Sequence, residues 1–327
     1  YEMPKGEIEN LLSSIWAELL NVERVGRHDG FFVLGGHSLL AMRMIGRVRS
    51  TLGFNISLRT LFEAPTIAEL APRLLDTGAT HEESYDVLLP IKPRGNRPPL
   101  FCIHPVTGLS WCYTGLSTRL DPAQPLYGLQ ARGFVGGEGV ASTLDEMTLD
   151  YIDQIRRIQP QGPYHLLGYS FGGLVAHTMA SYLEEQGERV ALLALMDTPA
   201  GYHTQTPQAP EMDEYQTEQT LIALLVGDTN QDSSDLINPF LERAYVVGKN
   251  SIRIGSAQAP RVFHGDALFF RATVLAKGPE QKQWSPEDWR PYVTGNIEVS
   301  NIDCLHEHMD SPESAAIIAQ VLNERLK

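Results

Sequence analysis

Cysteine is scarce and shows no pairing pattern: three residues, Cys102, Cys112 and Cys304, with no C-x-x-C among them. Three thiols so spaced do not make a closed disulfide framework, and the expectation is reduced cysteine in a cytoplasmic protein. The ten histidines include no H-E-x-x-H and no paired Cys/His spacing, so no metal site is expected. No apolar run approaches the ~20 residues a membrane-spanning helix needs. Positive charge is also short. Against 40 Asp and Glu stand 26 Lys and Arg, a net charge of −14, and nothing in that balance would neutralise a nucleic-acid backbone. The opening YEMPKGEIEN has neither a basic stretch nor an apolar core, so no signal peptide is visible. It also lacks an initiator Met, as an excised fragment would.

What is present suffices for two domains, since 327 residues are 43% hydrophobic and 20% charged. Residues 1–77 read as a small all-α domain, expected to be a four-helix bundle. Ile8, Leu11, Leu12, Ile15, Trp16 and Leu19 recur at i, i+3, i+4 and i+7, one apolar face of a helix. A second helix is expected from Ser38, with Leu40, Met44, Val48 and Leu52 as its stripe. Thr66 and Glu69 form a T-x-x-E capping box, which predicts a further helix from Ile67 to Leu75, disturbed in its later part by Pro72. Residues 78–85 fall within a polar, aperiodic stretch and read as a linker.

The sharpest feature of this block is DGFFVLGGHSLL. A serine at a helix start caps the helix well, and after a flexible Gly-Gly turn it is equally open to modification. GGHS alone leaves these readings even. The longer pattern D-x-FF-x-LGGHSL, some thirty residues after the first amphipathic helix, resembles the peptidyl carrier domain of nonribosomal peptide synthetases. The resemblance implies that Ser38 receives 4′-phosphopantetheine, whose terminal thiol carries an acyl chain. His37 then reads as a local structural or docking residue.

From about Val87 the pattern changes. VLLPI, LFCIH, LYGLQ, YHLLGYS, VALLALMD, ALFFRATVLA and IEVSNID are strand candidates, with helices expected at 144–158, 172–186, 214–226, 236–249 and 312–326. Doubly buried strands alternating with helices indicate an α/β domain, 86–327, with a mostly parallel sheet.

GYSFGG at 168–173 sits between a strand and a helix, the context of a G-x-S-x-G nucleophile elbow, with Ser170 as nucleophile. A nucleophilic serine needs a base and an orienting acid, which follow in the order Ser, acid, His in this fold. Asp197 ends the next strand and is the better acid; the later alternative is Glu280. His306 and His308 both lie in the loop after the last strand. Asp303, three residues before His306, is too near in sequence to align with it as an orienting pair. The oxyanion hole needs the N–H after the nucleophile, Phe171, and one from the early turn FCIHPVTG, here Val106. His104 is the tempting catalytic alternative, weighed against the favoured reading of a residue shaping that turn.

QPQGPYHLLGYSFGG and the closing-loop H-x-x-M of His306 and Met309 resemble type I thioesterases of nonribosomal peptide synthetases, over about residues 86–327. The H-x-x-M match favours His306 over His308. The resemblance implies an α/β-hydrolase with a helical lid at about 200–262, and transfer of a peptidyl thioester from the Ser38 arm to Ser170. Release would follow by hydrolysis or macrocyclisation. It further implies upstream condensation and adenylation domains and a phosphopantetheinyl transferase as partners. A degenerate, non-catalytic docking module and an editing hydrolase are the rival classes. The ordered set Ser170, Asp197 and His306 argues against the first, and a carrier in the same chain against the second.

Overall fold

The computed structural model describes residues 1–36, 38–52, 54, 56, 60–61, 64–75, 86–134, 138–201, 239–275 and 284–327. The chain divides into two compact units, Tyr1–Ser84 and Tyr85–Lys327. The expected linker and His37 lie outside the described residues.

The first unit is helical. Helix α1 (Gly6–Leu20) buries Leu12, Ile15 and Trp16 along the predicted stripe, and the Trp16 ring meets the fully buried Phe31 edge-on at 5.0 Å. Phe31 is held there because its N–H donates to Pro65 O at 2.8 Å, which ties the loop before α2 to the entry of α3. Helix α2 (Ser38–Leu52) contributes Ala41, Met44, Ile45 and Val48 to the same core. Helix α3 (Ile67–Leu75) begins on the predicted capping box, Glu69 N–H donating to Thr66 Oγ1 at 3.3 Å and the Thr66 hydroxyl to Glu69 at 2.8 Å. It runs through Pro72 to the expected end. Of the four helices expected, the described residues show these three.

The second unit is built on a seven-stranded sheet of order β1-β3-β2-β4-β5-β6-β7. Its strands are β1 (Leu88–Lys92), β2 (Leu100–Ile103), β3 (Leu126–Leu129), β4 (Tyr164–Tyr169), β5 (Val190–Met196), β6 (Ala267–Ala272) and β7 (Ile297–Ile302). Only β1 pairs antiparallel, so the sheet is mostly parallel. Side chains alternate between two cores, as the period of two requires. Phe101, Leu166, Leu193 and Phe269 face one; Cys102, Leu167, Ala194 and Phe270 face the other. Helices α4 (Leu144–Ile158) and α5 (Phe171–Glu185) cover the first face. The second is covered by α7 (Pro312–Arg325) together with the short helical stretch from Trp111 to Ser117.

Of the expected lid at 200–262, residues 202–238 lie outside the described residues, and with them Leu221, Leu224, Leu225 and Leu236. The described remainder contains α6 (Pro239–Ser256), which ends seven residues beyond the helix expected there. Ala244, Val247 and Ile254 are buried. Arg243 donates to Phe134 O at 2.5 Å, Asn250 to Ala141 O at 2.9 Å and Arg253 to Ser142 O at 3.0 Å. Sequence could not show these anchors, and they are what carries the helix past residue 249.

Candidate active site

Parallel strands deliver their C-terminal ends to one edge of the sheet, and the site lies there. Because β4 neighbours both β2 and β5, the loops leaving these three strands are adjacent. Ser170 follows β4 and carries φ 54° and ψ −121°. A non-glycine residue adopts such a φ only when its surroundings impose it. The imposing contacts are Ser170 N–H to Met196 O at 2.9 Å and Gly173 N–H to Ser170 O at 3.0 Å. The glycines are there because nothing larger fits. A Cβ on Gly172 would lie 2.3 Å from Ile103 O, and one on Gly173 would lie 1.9 Å from Thr198 Oγ1.

Asp197 follows β5, also with a positive φ of 41°, and is 3% exposed. Its N–H donates to Phe270 O at 2.7 Å, and its Oδ1 accepts the Ala272 N–H at 3.0 Å. The other oxygen, Oδ2, lies 2.7 Å from His306 Nδ1, and His306 Nε2 lies 3.1 Å from Ser170 Oγ. With Nδ1–H donated to the carboxylate, Nε2 presents its lone pair to the serine hydroxyl. His306 opens a short 3-10 turn (His306–His308) after β7. Its carbonyl accepts the Tyr169 hydroxyl at 2.5 Å.

The remaining candidates separate clearly. His308 is exposed, whereas Met309, the other member of the H-x-x-M match, is fully buried. Asp303 is exposed and accepts the Thr273 hydroxyl at 3.4 Å, away from the His306 ring. Glu280 lies outside the described residues. Phe171 is the first residue of α5, and Val106 sits in the turn after β2, partly buried against the core. The chain leaving β2 lies against the elbow, since a Cβ on Gly172 would also strike His104 O at 2.4 Å. Neither the Val106 nor the Phe171 N–H has a backbone acceptor among the described residues. His104 is fully buried behind the turn and is not joined to the triad. Sequence reasoning missed the Ala272 N–H and the Tyr169 hydroxyl. The first is a backbone donor with no side-chain signature, and the second was visible only as a tyrosine beside the nucleophile.

In the helical unit, Ser38 is the first residue of α2, after Gly35 at φ +97°. The first turn of α2 contains no acidic residue. The free N–H groups and positive end of a helix there suit a phosphodiester, so the position fits 4′-phosphopantetheine.

Residues 98–326 match the thioesterase domain family. The chain belongs to that family. Residues 10–74 match the phosphopantetheine attachment site family. The whole chain is 63% identical over 328 residues to malpinin synthetase of Mortierella alpina, covering 100% of this chain and 4% of the relative. It is 41% identical over 350 residues to a dimodular nonribosomal peptide synthase of Bacillus subtilis (strain 168), covering 99% and 14%. The chain thus spans a small part of the curated relatives it matches. Among solved structures, a four-domain nonribosomal peptide synthetase bound to AMP and glycine superposes with a TM-score of 0.67 at 22% identity, covering 99% of this chain and 26% of that one. The NocB thioesterase domain in covalent complex with a fluorophosphonate nocardicin G analogue gives 0.56 at 24%, covering 74% and 100%. At these identities the likeness is one of fold. The chain thus carries a phosphopantetheine attachment domain followed by a thioesterase domain. Among the described residues, no helix is long and apolar enough to cross a membrane.

Proposed function

We propose that this chain releases a peptide from its own carrier, with Ser38 as the attachment point and Ser170, His306 and Asp197 as the catalytic residues. The observation that supports this most directly is the continuous chain Asp197 Oδ2–His306 Nδ1 (2.7 Å) and His306 Nε2–Ser170 Oγ (3.1 Å). When bound, 4′-phosphopantetheine supplies a terminal thiol that holds the peptide as a thioester. His306 takes the Ser170 hydroxyl proton as Oγ attacks the thioester carbonyl, and Asp197 stabilises the imidazolium that forms. The N–H groups of Val106 and Phe171 are the donors proposed for the oxyanion. Collapse expels the thiol, protonated by His306, and leaves the peptide as an ester on Ser170. Water, or a nucleophile within the peptide, then attacks that ester with His306 again as base, giving an acid or a macrocycle.

The units proposed are a carrier at 1–77, a linker at 78–85 and a thioesterase at 86–327, with 200–262 as the lid. Helix α6, held by the carbonyls of Phe134, Ala141 and Ser142, would be the fixed base of that lid. The partners proposed are upstream condensation and adenylation domains of the same synthetase and a phosphopantetheinyl transferase, in the cytoplasm. Mass spectrometry of the loaded full chain tests the reading. An acyl group should appear on the peptide containing Ser170, and in Ser170→Ala it should stay on the carrier. Release without any acyl-Ser170 species would refute it.

A further inference from the structure

We infer that His104, with Tyr151 behind it, is a positioning residue that orients the Pro105–Val106 peptide so that the Val106 N–H points at the oxyanion. This rests on the proposed reading of Ser170 as nucleophile and of Val106 and Phe171 as donors.

The inference follows from hydrogen positions that the acceptors dictate. His104 comes directly after β2 and is fully buried. Its Nδ1 lies 2.7 Å from Pro105 O. A carbonyl oxygen only accepts, so Nδ1 carries the proton. In a neutral ring Nε2 is then bare, and it takes the hydroxyl proton of Tyr151 at 2.6 Å. Burial lowers the His104 pKa to about 4 and raises that of Tyr151, which fixes both protonation states at neutral pH. The same Pro105 carbonyl accepts the Gly108 N–H at 3.0 Å, closing the turn.

Pro105 O and Val106 N–H belong to one planar trans peptide and therefore point in opposite directions. Two donors drawing the carbonyl towards the protein turn the Val106 N–H away from them, and it meets no backbone acceptor among the described residues. His104 also reaches the second donor's residue. Its ring lies 5.8 Å from that of Phe171, the planes 31° apart. One side chain therefore supports both halves of the proposed oxyanion hole.

A histidine kept only to fill the core would behave differently on substitution, because a leucine fills the space but donates nothing. The test follows hydrolysis of p-nitrophenyl butyrate by the full chain, with butylboronic acid as a mimic of the tetrahedral adduct. Losing an oxyanion donor outright costs about 10²–10³ in kcat, so a misaimed one in His104→Leu should cost about ten- to a hundredfold, with KM changed less than about twofold. Affinity for butylboronic acid should fall by a similar factor. His104→Asn restores a donor at the Nδ1 position and should recover to within about fivefold of wild type. Tyr151→Phe, which releases Nε2 alone, should lower kcat about three- to tenfold. If His104→Leu does not fold, the latter two variants decide. A folded His104→Leu with wild-type kcat, an Asn variant no better than Leu, or boronate affinity unchanged while kcat falls would each overturn the inference. Ser170→Ala is measured alongside. Residual turnover there would refute the nucleophile assignment, a failure distinct from that of His104.

Discussion

Two buried histidines make the thioesterase unit sensitive to mild acid. His104 and His177 are both fully buried, and burial lowers each pKa from 6.5 to about 4. The unfolded chain therefore takes up protons below pH 6.5 that the folded chain refuses until about pH 4. Stability is full above that window and is lost as pH falls through it. For each histidine the loss between pH 7 and pH 5 is about 2 kcal/mol. Asp310 opposes this. Burial raises its pKa from 3.8 to about 6, so the folded chain binds its proton first and gains about 1 kcal/mol at pH 5. The net loss is roughly 2 to 3 kcal/mol, a large share of the stability of an ordinary domain. His177 is the cleaner target. Its Nε2 donates to Tyr292 O at 2.9 Å and its ring lies 4.7 Å from that of Trp289, while Nδ1 has no partner among the described residues. A proton on Nδ1 would thus meet no acceptor. His177→Leu removes one of two donors to the Tyr292 carbonyl, which still accepts the Phe263 N–H at 2.9 Å, and that loss does not depend on pH. Urea unfolding followed by tryptophan fluorescence reports mainly on this unit, which holds Trp111, Trp284 and Trp289 of the four tryptophans. The pH 7 to pH 5 drop in His177→Leu should be about 2 kcal/mol smaller than in wild type. Equal drops in the two proteins would show that His177 does not titrate in this window on folding.

Treatment with coenzyme A and a phosphopantetheinyl transferase should add one arm to wild type and none to Ser38→Ala, read by intact mass. His306→Ala should lose nearly all release activity, by about 10⁴ or more as for other triads, while His308→Ala keeps most of it; the opposite order would displace His306 as base. Tyr169→Phe should lower kcat about tenfold with KM and the thermal midpoint little changed, because it leaves the His306 carbonyl with the Met309 N–H at 3.3 Å alone, without altering the ring's packing. Gly173→Ala should fold poorly or lose activity, since its Cβ would fall 1.9 Å from Thr198 Oγ1, and a fully active, stable variant would contradict the elbow geometry.

Strands and helices were legible where burial has a simple period. YHLLGYS became β4 because every residue from Tyr164 to Tyr169 is buried, and PESAAIIAQVLNER became α7 behind a Ser311 cap. The capping box at Thr66 and Glu69 was readable for the same local reason. Ser170, Asp197 and His306, the triad proposed, were readable as candidates because two are marked by the turns that hold them and the third by the H-x-x-M spacing. The backbone partners were not. Ala272 N–H reaches Asp197 across 75 positions of sequence, and nothing in ALFFRATVLA distinguishes that alanine from its neighbours. His104 was readable as a residue shaping its turn, yet the link to Tyr151, 47 residues away, needs the fold.

The backbone of the site explains how strain and precision coexist. Among the described residues, only Asn21, Ser170 and Asp197 are non-glycine residues with positive φ. Asn21 ends α1, a position asparagine tolerates well. The other two each store about 1–3 kcal/mol that neighbouring structure must offset. That structure is the hydrogen-bond ladder continued one residue past the strand ends. Ser170 N–H bonds to the last residue of β5, and Asp197 N–H bonds to Phe270 of β6. Ser170 and Asp197 are therefore consecutive steps of one sheet, and their spacing is set by main-chain bonds. His306 has no such seat. It rides on a three-residue turn with its side chain 34% exposed, tethered by Asp197 on one side and by the Tyr169 hydroxyl on the other. Motion within the proposed triad should thus concentrate at His306, the group proposed to shuttle a proton between Ser170 and the leaving group. The two groups whose positions define the attack stay fixed to the sheet. On this argument the Tyr169 hydroxyl sets how far the base moves, and its removal should act on kcat while leaving substrate affinity alone.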